Sequence, residues 1–378
     1  MKYMGSKRAM LANGLGHAIA SEVPHAKRFV DLFTGSGAVA WHAATQWDKE
    51  VLACDLQEFA VTLAGAVVCR DVAIDADRVL AKWFARADLL VRSHETFRNA
   101  LHLQDRLRPR GLKSLVRASR ALCASEACGP VQHAYGGYYF SPLQALWIDC
   151  LRSTLPRKAD HKVVALAALI QATSRCAASP GHTAQPFTPS KTAGPFLVDS
   201  WAKDVRNYVA ASFRSIGKTA AKRRGKAIVK DASSLAKLLN EGDLAFIDPP
   251  YSAVHYSRFY HVLETVTKGE RISVSGVGRY PPLEHRPESD FSIKTRAALA
   301  FEELMSSVSA RGAKAVVTFP AGTASNGLSG KMVREIASKF FRIEQQTVTT
   351  RFSTLGGNRI TREARKNSQE LILTLSPK

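Results

Sequence analysis

Short apolar runs alternate with helical repeats through both ends of the chain. The runs have the length of buried strands in a parallel sheet, and they lie at 28–33, 51–54, 226–231, 244–247 and 313–319. Apolar residues between the runs recur at helical spacing, as over 10–19. Two final strands are expected at 343–351 and 370–375. The pattern predicts an α/β fold with a mostly parallel sheet that ends in an antiparallel hairpin.

The alternation of strands and helices stops at about residue 71 and returns at about residue 225. Within 71–224 the apolar positions repeat at helical spacing, interrupted by a loop at 179–195 that is rich in Pro, Gly, Ser and Thr. We therefore assign 1–70 and 225–378 to one sheet-containing domain. Residues 71–224 are expected to form an inserted, mainly helical domain.

A strong excess of positive charge favours a polyanionic partner. The 378 residues contain 53 Lys and Arg against 32 Asp and Glu, a net charge of +21. Nucleic acid fits this balance better than an anionic membrane surface. The basic residues are partly clustered, which suits a phosphate track, although an ordinary solvated surface explains such runs equally well. The clusters contain Arg106, Arg108, Arg110, Lys113, Arg117 and Arg120, and Lys218, Lys222, Arg223, Arg224 and Lys226.

An aromatic segment with two glycines, 135–140, interrupts the helical region. A side chain such as Tyr138 is able to stack on bases or wedge into a duplex. Packing of these tyrosines against neighbouring helices is the alternative, and it is the interpretation we favour.

Other classes of protein are disfavoured by composition. No apolar run is long enough to span a bilayer, and the first residues lack the apolar core of a secretory signal, so we expect a cytoplasmic protein, nucleoid-associated when bound to DNA. The six cysteines form no Cys-x-x-Cys pair and fall within apolar or helical patterns. We expect reduced core cysteines and no metal site.

A glycine-rich turn follows the first predicted strand. Gly35 and Gly37 let the backbone approach a ligand closely, and the following helix offers free N–H groups. The turn also fits the dinucleotide pattern of dehydrogenases, with Asp55 after the next strand. Asp31 argues against that reading, because its charge repels a pyrophosphate but attracts an ammonium group. S-adenosylmethionine has an ammonium group and no phosphate, so Asp31 is expected at its amino acid end and Asp55 at its ribose. Simple capping carboxylates are the alternative.

The apolar run at 244–247 leads directly into Asp248-Pro249-Pro250-Tyr251. Neither proline donates a backbone hydrogen bond, so the strand ends there, with an acid and an aromatic ring at its carboxyl edge. Tyr251 is able to stack on a base while Asp248 and the Pro249 carbonyl accept hydrogen bonds from its amino group. The alternative is a strand closed by a Pro-Pro turn.

The order of these motifs resembles that of the DNA adenine methylase family: the lead-in 2–7, the segment 31–37, an inserted helical region and then Asp248 to Tyr251. The resemblance covers 1–70 and 225–378. It implies a Rossmann-like S-adenosylmethionine-dependent methyltransferase sheet with an inserted target-recognition domain. The residues that it places around S-adenosylmethionine are Tyr3, Lys7, Asp31, Phe33, Gly35, Gly37, Asp55 and Asp231. The residues that it places at the flipped base are Asp248, Pro249, Pro250 and Tyr251.

By the same resemblance the expected activity is site-specific adenine-N6 methylation of double-stranded DNA. A restriction-modification role with a cognate restriction endonuclease and a solitary role both fit, as do a monomer and a dimer. The residues that we expect to contact DNA are Arg106, Arg108, Arg110, Lys113, Tyr138, Lys222, Arg223, Arg224, Arg258 and Arg359.

Four alternatives stay open at this point. The same motifs serve a cytosine-N4 methyltransferase or an RNA adenine methyltransferase. A non-catalytic DNA-binding module with a vestigial cofactor pocket is the third alternative, and a dehydrogenase the fourth.

Overall fold

A seven-stranded sheet organises one part of the molecule. The computed structural model of the protein describes residues 7–353 and 365–378. The strand order is β3-β2-β1-β4-β5-β7-β6, with β1 to β5 parallel and β7 antiparallel to both β5 and β6. The expected Rossmann-like sheet with a terminal antiparallel pair is therefore confirmed. The strands are β1 (Arg28–Asp31), β2 (Glu50–Asp55), β3 (Lys226–Val229), β4 (Asp243–Ile247), β5 (Lys314–Pro320), β6 (Phe341–Ser353) and β7 (Arg365–Pro377).

Sixteen α-helices are found among the described residues, with 3₁₀ turns at 23–25, 283–285 and 290–292. The helices are α1 (Arg8–Leu11), α2 (Leu15–Glu22), α3 (Ala38–Gln46), α4 (Glu58–Val68), α5 (Ala76–Ser93), α6 (Phe97–Asp105), α7 (Leu112–Cys123), α8 (Pro130–Tyr135), α9 (Pro142–Ser153), α10 (Ala159–Cys176), α11 (Gly194–Trp201), α12 (Val205–Gly217), α13 (Ala232–Ala236), α14 (Tyr256–Lys268), α15 (Ala297–Ala310) and α16 (Gly330–Ser338).

Helices cover both faces of the sheet. Successive residues of a strand point to opposite faces, so each strand contributes side chains to both cores. Phe29 and Phe246 pack with α2, α3 and α4 on one face. Val30 and Ile247 pack with α13, α15 and α16 on the other. This double burial explains why the strands read as continuous apolar runs in the sequence.

The chain divides into two compact units. The described residues of the sheet unit are 7–72, 220–256, 287–353 and 365–378, and those of the helical unit are 73–219 and 257–286. The second segment of the helical unit differs from the domain limits that we expected, since the sequence assigned 257–286 to the sheet-containing domain. Its helix, α14, repeats apolar residues like any other helix, so its own sequence does not reveal which unit it packs in.

The helical unit has its own apolar core. Trp83 is fully buried, and its indole N–H donates to the Leu151 carbonyl at 3.0 Å. Ser141 and Gln144 form a reciprocal capping box at the start of α9, which fixes where that helix begins.

The helix expected over 10–19 is split in two at Gly14, whose φ is 89°. A Cβ at this position would lie 2.7 Å from Val348, so only glycine allows the turn. No helix in the described parts of the chain is both long and apolar enough to cross a membrane.

Candidate active site

Three carboxylates lie at the carboxyl ends of three neighbouring strands. Asp31 ends β1, Asp55 ends β2 and Asp248 follows β4. The register pairs Asp31 with Phe246 on β4, so Asp248 is two residues, or roughly 7 Å, further along. The order of strands reverses between β1 and β4, and a crevice at such a switch point is where open α/β sheets bind ligands.

The glycine turn between β1 and α3 is held from the side by Asp55. Its Oδ2 accepts the Gly35 N–H at 2.9 Å, and its Oδ1 accepts the Gln57 N–H at 3.0 Å. Burial raises the pKa of Asp55, and these two hydrogen bonds oppose the rise. Asp55 thus shapes the turn.

Gly37 is required by packing as well as by conformation. Its φ is 75°, and a Cβ there would lie 3.2 Å from the Ala64 backbone and from Trp41 Nε1. Glycine therefore lets α3 and α4 approach each other next to the turn.

Asp31 is buried with an incomplete set of partners. One oxygen accepts the Phe33 N–H at 3.3 Å, while Oδ2 has no hydrogen-bond partner among the described residues. Burial raises the pKa of Asp31 to about 8, and the charges of Asp248 and Asp55 add to the rise. A cationic group next to Asp31 would stabilise its ionised form.

Asp248 is anchored through one oxygen only. Its Oδ1 lies 3.1 Å from Lys7 Nζ and accepts the Thr318 hydroxyl at 2.9 Å. Its Oδ2 has no partner among the described residues, and the side chain is 17% exposed. Burial raises the pKa of Asp248 to about 6, with Lys7 opposing the rise and Glu370 adding to it. The carboxylate is therefore mostly ionised at neutral pH and presents one oxygen outwards.

Lys7 lies between two carboxylates. Its Nζ is 2.7 Å from Glu370 Oε2 and 3.1 Å from Asp248 Oδ1, and its side chain is only 4% exposed. Burial lowers the pKa of Lys7, but the two carboxylates outweigh burial and raise it overall. The ammonium group also lies 5.9 Å from the centre of the Tyr251 ring. The structure places Lys7 next to Asp248 and Tyr251, and its expected position beside the cofactor stays a prediction.

The loop that carries the motif is tied down by Asn326, a fully buried residue that the sequence analysis did not single out. Its Nδ2 donates to the carbonyl oxygens of Pro250 and Phe291, both at 2.9 Å. Its Oδ1 accepts the Leu328 N–H at 3.2 Å. The Pro250 carbonyl is thus occupied, whereas the neighbouring Pro249 carbonyl accepts no hydrogen bond from the described residues.

Comparison with known proteins agrees with this geometry. The family model described as D12 class N6 adenine-specific DNA methyltransferase matches residues 3–123. Over this part of the chain the match agrees with the expected family. The part of the chain that this methyltransferase model matches includes Lys7, Asp31, the glycine turn and Asp55, while Asp248 lies outside it.

Two modification methylases are similar over short segments. Modification methylase LlaI from Lactococcus lactis subsp. lactis is 41% identical over 64 residues, which is 17% of this chain and 10% of the relative. Modification methylase StsI from Streptococcus sanguinis is 28% identical over 86 residues, which is 23% of this chain and 13% of the relative. The aligned part of the chain therefore spans about a tenth of each relative's length.

The remaining cofactor residues expected of a methyltransferase lie at different places. Phe33 packs edge-on against Phe291, with ring centres 5.1 Å apart, and so forms a wall next to Asp31. Asp231 follows β3 and caps α13 by accepting the Ser234 N–H at 2.9 Å. Tyr3 lies outside the described residues.

The expected DNA contacts of the sheet unit are engaged at the surface. Lys222 donates to the Gln46 carbonyl at 2.7 Å, Arg223 pairs with Asp48 at 3.0 Å, and Arg224 lies 3.6 Å from Asp71. Exposed pairs of this kind are weak and remain available to phosphates. Arg359 lies outside the described residues.

The expected DNA contacts of the helical unit fall in two places. The first is the turn between α6 and α7, where the basic side chains are exposed. The second is around 258–286, where Arg258 lies over the Tyr280 ring at 4.7 Å. The turn contains Arg106, Arg108 and Arg110, and the exposed Lys113 follows in the first turn of α7.

Proposed function

We propose that the protein is a site-specific DNA adenine-N6 methyltransferase that takes its methyl group from S-adenosylmethionine. The observation that carries the proposal is that two carboxyl groups, at the tips of β1 and β4, have different sets of partners. Asp31 has a buried oxygen without a partner, and Asp248 is anchored through one oxygen while the other faces outwards. The matched family model and the names of both relatives support the same activity.

The residues at the tip of β1 fit S-adenosylmethionine. Its ammonium group would complete Asp31, whose unpaired oxygen is otherwise costly to bury. Asp55, Gly35 and Phe33 line the same turn and would hold the nucleoside part. When bound, S-adenosylmethionine supplies an electrophilic methyl group.

Asp248 and the Pro249 carbonyl would receive the amino group of a flipped adenine. An adenine in a duplex is paired and stacked, so it has to leave the helix to reach these acceptors. Two accepted N–H bonds favour a pyramidal amino nitrogen, whose lone pair is then available to the methyl group. Stacking on the Tyr251 ring would contribute on the order of 1–3 kcal/mol and offset part of the unstacking cost.

The charge of Asp248 is what makes this arrangement catalytic. Positive charge grows on the amino nitrogen as it is methylated, and a carboxylate beside it stabilises that charge. Lys7 favours the ionised form of Asp248, and Thr318 fixes the orientation of the carboxylate. Lys7 is no candidate for the base, because its own pKa is raised.

The substitution Asp248→Asn tests the assignment, since it keeps the shape and removes the charge. We expect transfer of labelled methyl groups from S-adenosylmethionine to duplex DNA to fall by about 10²-fold or more. Calorimetry should show that cofactor binding is retained, which serves as the control for folding. Digestion of the methylated DNA to nucleosides should yield N6-methyladenine. Either N4-methylcytosine as the product or full activity of the variant would overturn the proposal.

We also propose a restriction-modification role, because both relatives are named modification methylases. Sequencing of modified bases in a host that expresses the protein would reveal methylation at one defined sequence. Methylation without sequence preference would contradict a site-specific enzyme.

A further inference from the structure

Tyr138 in the helical unit carries two arginines on its ring. Arg120 Cζ lies 4.0 Å from the ring centre and Arg279 Cζ lies 4.6 Å from it. A base that stacked on Tyr138 would have to compete with these guanidinium groups. The ring therefore serves to hold cations, which differs from the base-stacking role considered from the sequence.

Both guanidinium groups are also fixed by backbone carbonyls. Arg120 Nε donates to the Gly137 carbonyl at 3.1 Å, and Arg279 Nε donates to the Ala134 carbonyl at 2.9 Å. These bonds leave the Nη1 and Nη2 groups of Arg120 without a partner among the described residues. An arginine held in this way loses little entropy when it binds an anion.

The backbone near the two arginines is strained at Arg279 and closely packed at Gly137. Arg279 has a φ of 55° and is the only residue other than glycine with a positive φ in the described chain. Such a conformation is unfavourable for a residue that has a Cβ. A Cβ on Gly137 would lie 2.7 Å from Arg120 Cγ, so the glycine of the aromatic segment is what admits the arginine. Strain of this kind is typical of functional sites.

The charge of the two arginines is not neutralised within the described part of the chain. Neither arginine forms an ion pair there, whereas Arg92 and Arg214 in the same unit pair with Asp88 and Asp77. Burial lowers the pKa of the neighbouring His133, and the charges of Arg271 and Arg279 lower it further, while Glu126, which pairs with Arg271, opposes them. Two cations gathered on one ring without a carboxylate are stabilised by a bound anion.

We propose that Arg120 and Arg279, held by Tyr138, form a clamp for the phosphodiester backbone of DNA. The inference rests on the proposed function in taking DNA as the polyanion. The planar guanidinium matches phosphate geometry with two parallel N–H groups, and backbone contacts of this kind set the register of a protein on the duplex.

The test is the salt dependence of binding to two duplexes of unrelated sequence, measured by fluorescence anisotropy. Arg120→Ala and Arg279→Ala should each weaken binding to both duplexes and reduce the slope of log affinity against log salt by about one. Arg92→Ala is the matched control, because it removes the same charge from an exposed ion pair, and its slope should equal that of the wild type. Tyr138→Phe should bind as the wild type does, while Tyr138→Leu should bind several-fold more weakly at every salt concentration.

Arginine variants that behave like the control would overturn the clamp while leaving the proposed function intact. Loss of affinity for one sequence only, with an unchanged slope, would assign the arginines to base edges and also overturn it. A wild-type protein without salt-dependent DNA binding would refute the proposed function and the clamp together. Tyr138→Leu keeps every charge, so it tests the clamp even if an alanine variant fails to fold.

Discussion

Binding of S-adenosylmethionine should strengthen as the pH rises towards 8, because Asp31 has to ionise to pair with an ammonium group. The pKa of Asp31 is raised to about 8, so its carboxyl group is mostly protonated at neutral pH before the ligand binds. The ammonium group itself stays protonated below a pH of about 7.7. Pairing favours the ionised carboxylate, which means that binding lowers the pKa of Asp31 and releases a proton.

The size of the effect follows from the ionised fraction. With a pKa of about 8, that fraction rises about ninefold between pH 6 and pH 7, which corresponds to about 1.3 kcal/mol of binding free energy. The affinity should rise by the same factor. At pH 7 binding should release about 0.9 proton, since roughly nine-tenths of the carboxyl groups are protonated beforehand.

Calorimetry without DNA measures both quantities, if it is repeated in buffers with different ionisation enthalpies. Asp31→Asn is the control, because it keeps the shape and cannot titrate. Its affinity should vary little with pH, and its deficit relative to the wild type should grow as the pH rises. Asp248, with a pKa of about 6, titrates in part of the same range, and any contribution from it persists in this variant. Equal pH profiles of the two proteins, or binding without proton release, would refute the reasoning.

Three further substitutions test the surroundings of the site. Asn326→Asp replaces the amide that donates to the Pro250 carbonyl with an acceptor, so kcat should fall about tenfold or more while cofactor affinity changes less than twofold. An unchanged kcat would contradict this role of Asn326. Lys7→Met removes the cation between Asp248 and Glu370, so the pKa of Asp248 should rise and the acidic limb of the pH profile of kcat should move to higher pH. Adding Glu370→Gln to this variant should reverse part of the shift, whereas an acidic limb that does not move would contradict the ion triad. Gly37→Ala should lower the free energy of unfolding by about 1–3 kcal/mol in denaturant titrations, because of its φ and its contact with Ala64, and a neutral effect would contradict it.

The sequence predicts the sheet and its edge because both depend on local patterns. Apolar runs mark buried strands, and an acid directly after such a run has to lie at the carboxyl edge. Asp31, Asp55 and Asp248 were found in this way, and the structure brings them to three adjacent strand ends.

The partners of these residues were not predictable, because they come from distant parts of the chain. Lys7 and Glu370 are 363 positions apart, and Glu370 reads in the sequence as an ordinary polar residue of the last strand. Asn326 stands in a polar loop with no motif around it. The one available signal was position: Glu370 lies on β7 and Asn326 lies in the loop after β5 of the same sheet.

In the helical unit, too, the sequence did not reveal which residues act together. Basic clusters were visible in the sequence, yet the two arginines that share the Tyr138 ring, Arg120 and Arg279, are far apart along the chain. Charge density along a sequence indicates a polyanionic partner. Tertiary packing alone decides which of these side chains are held rigidly, lack an ion-pair partner and require a strained backbone.

The contrast between Asp31 and Asp248 bears on the choice between a methyltransferase and a dehydrogenase. The two acids lie at adjacent strand tips, yet Asp248 has a cation of its own and Asp31 has none among the described residues. A pyrophosphate at the glycine turn would add negative charge beside a carboxyl group whose pKa is already raised by burial and, to a lesser extent, by its acidic neighbours. A ligand with an ammonium group removes that conflict, and it leaves Asp248 free to stabilise a second positive charge on the acceptor. Pairs of acids whose environments separate their pKa values mark different tasks at one site. Under the proposed function, Asp31 would hold the cationic methyl donor and Asp248 would stabilise the positive charge of the transition state.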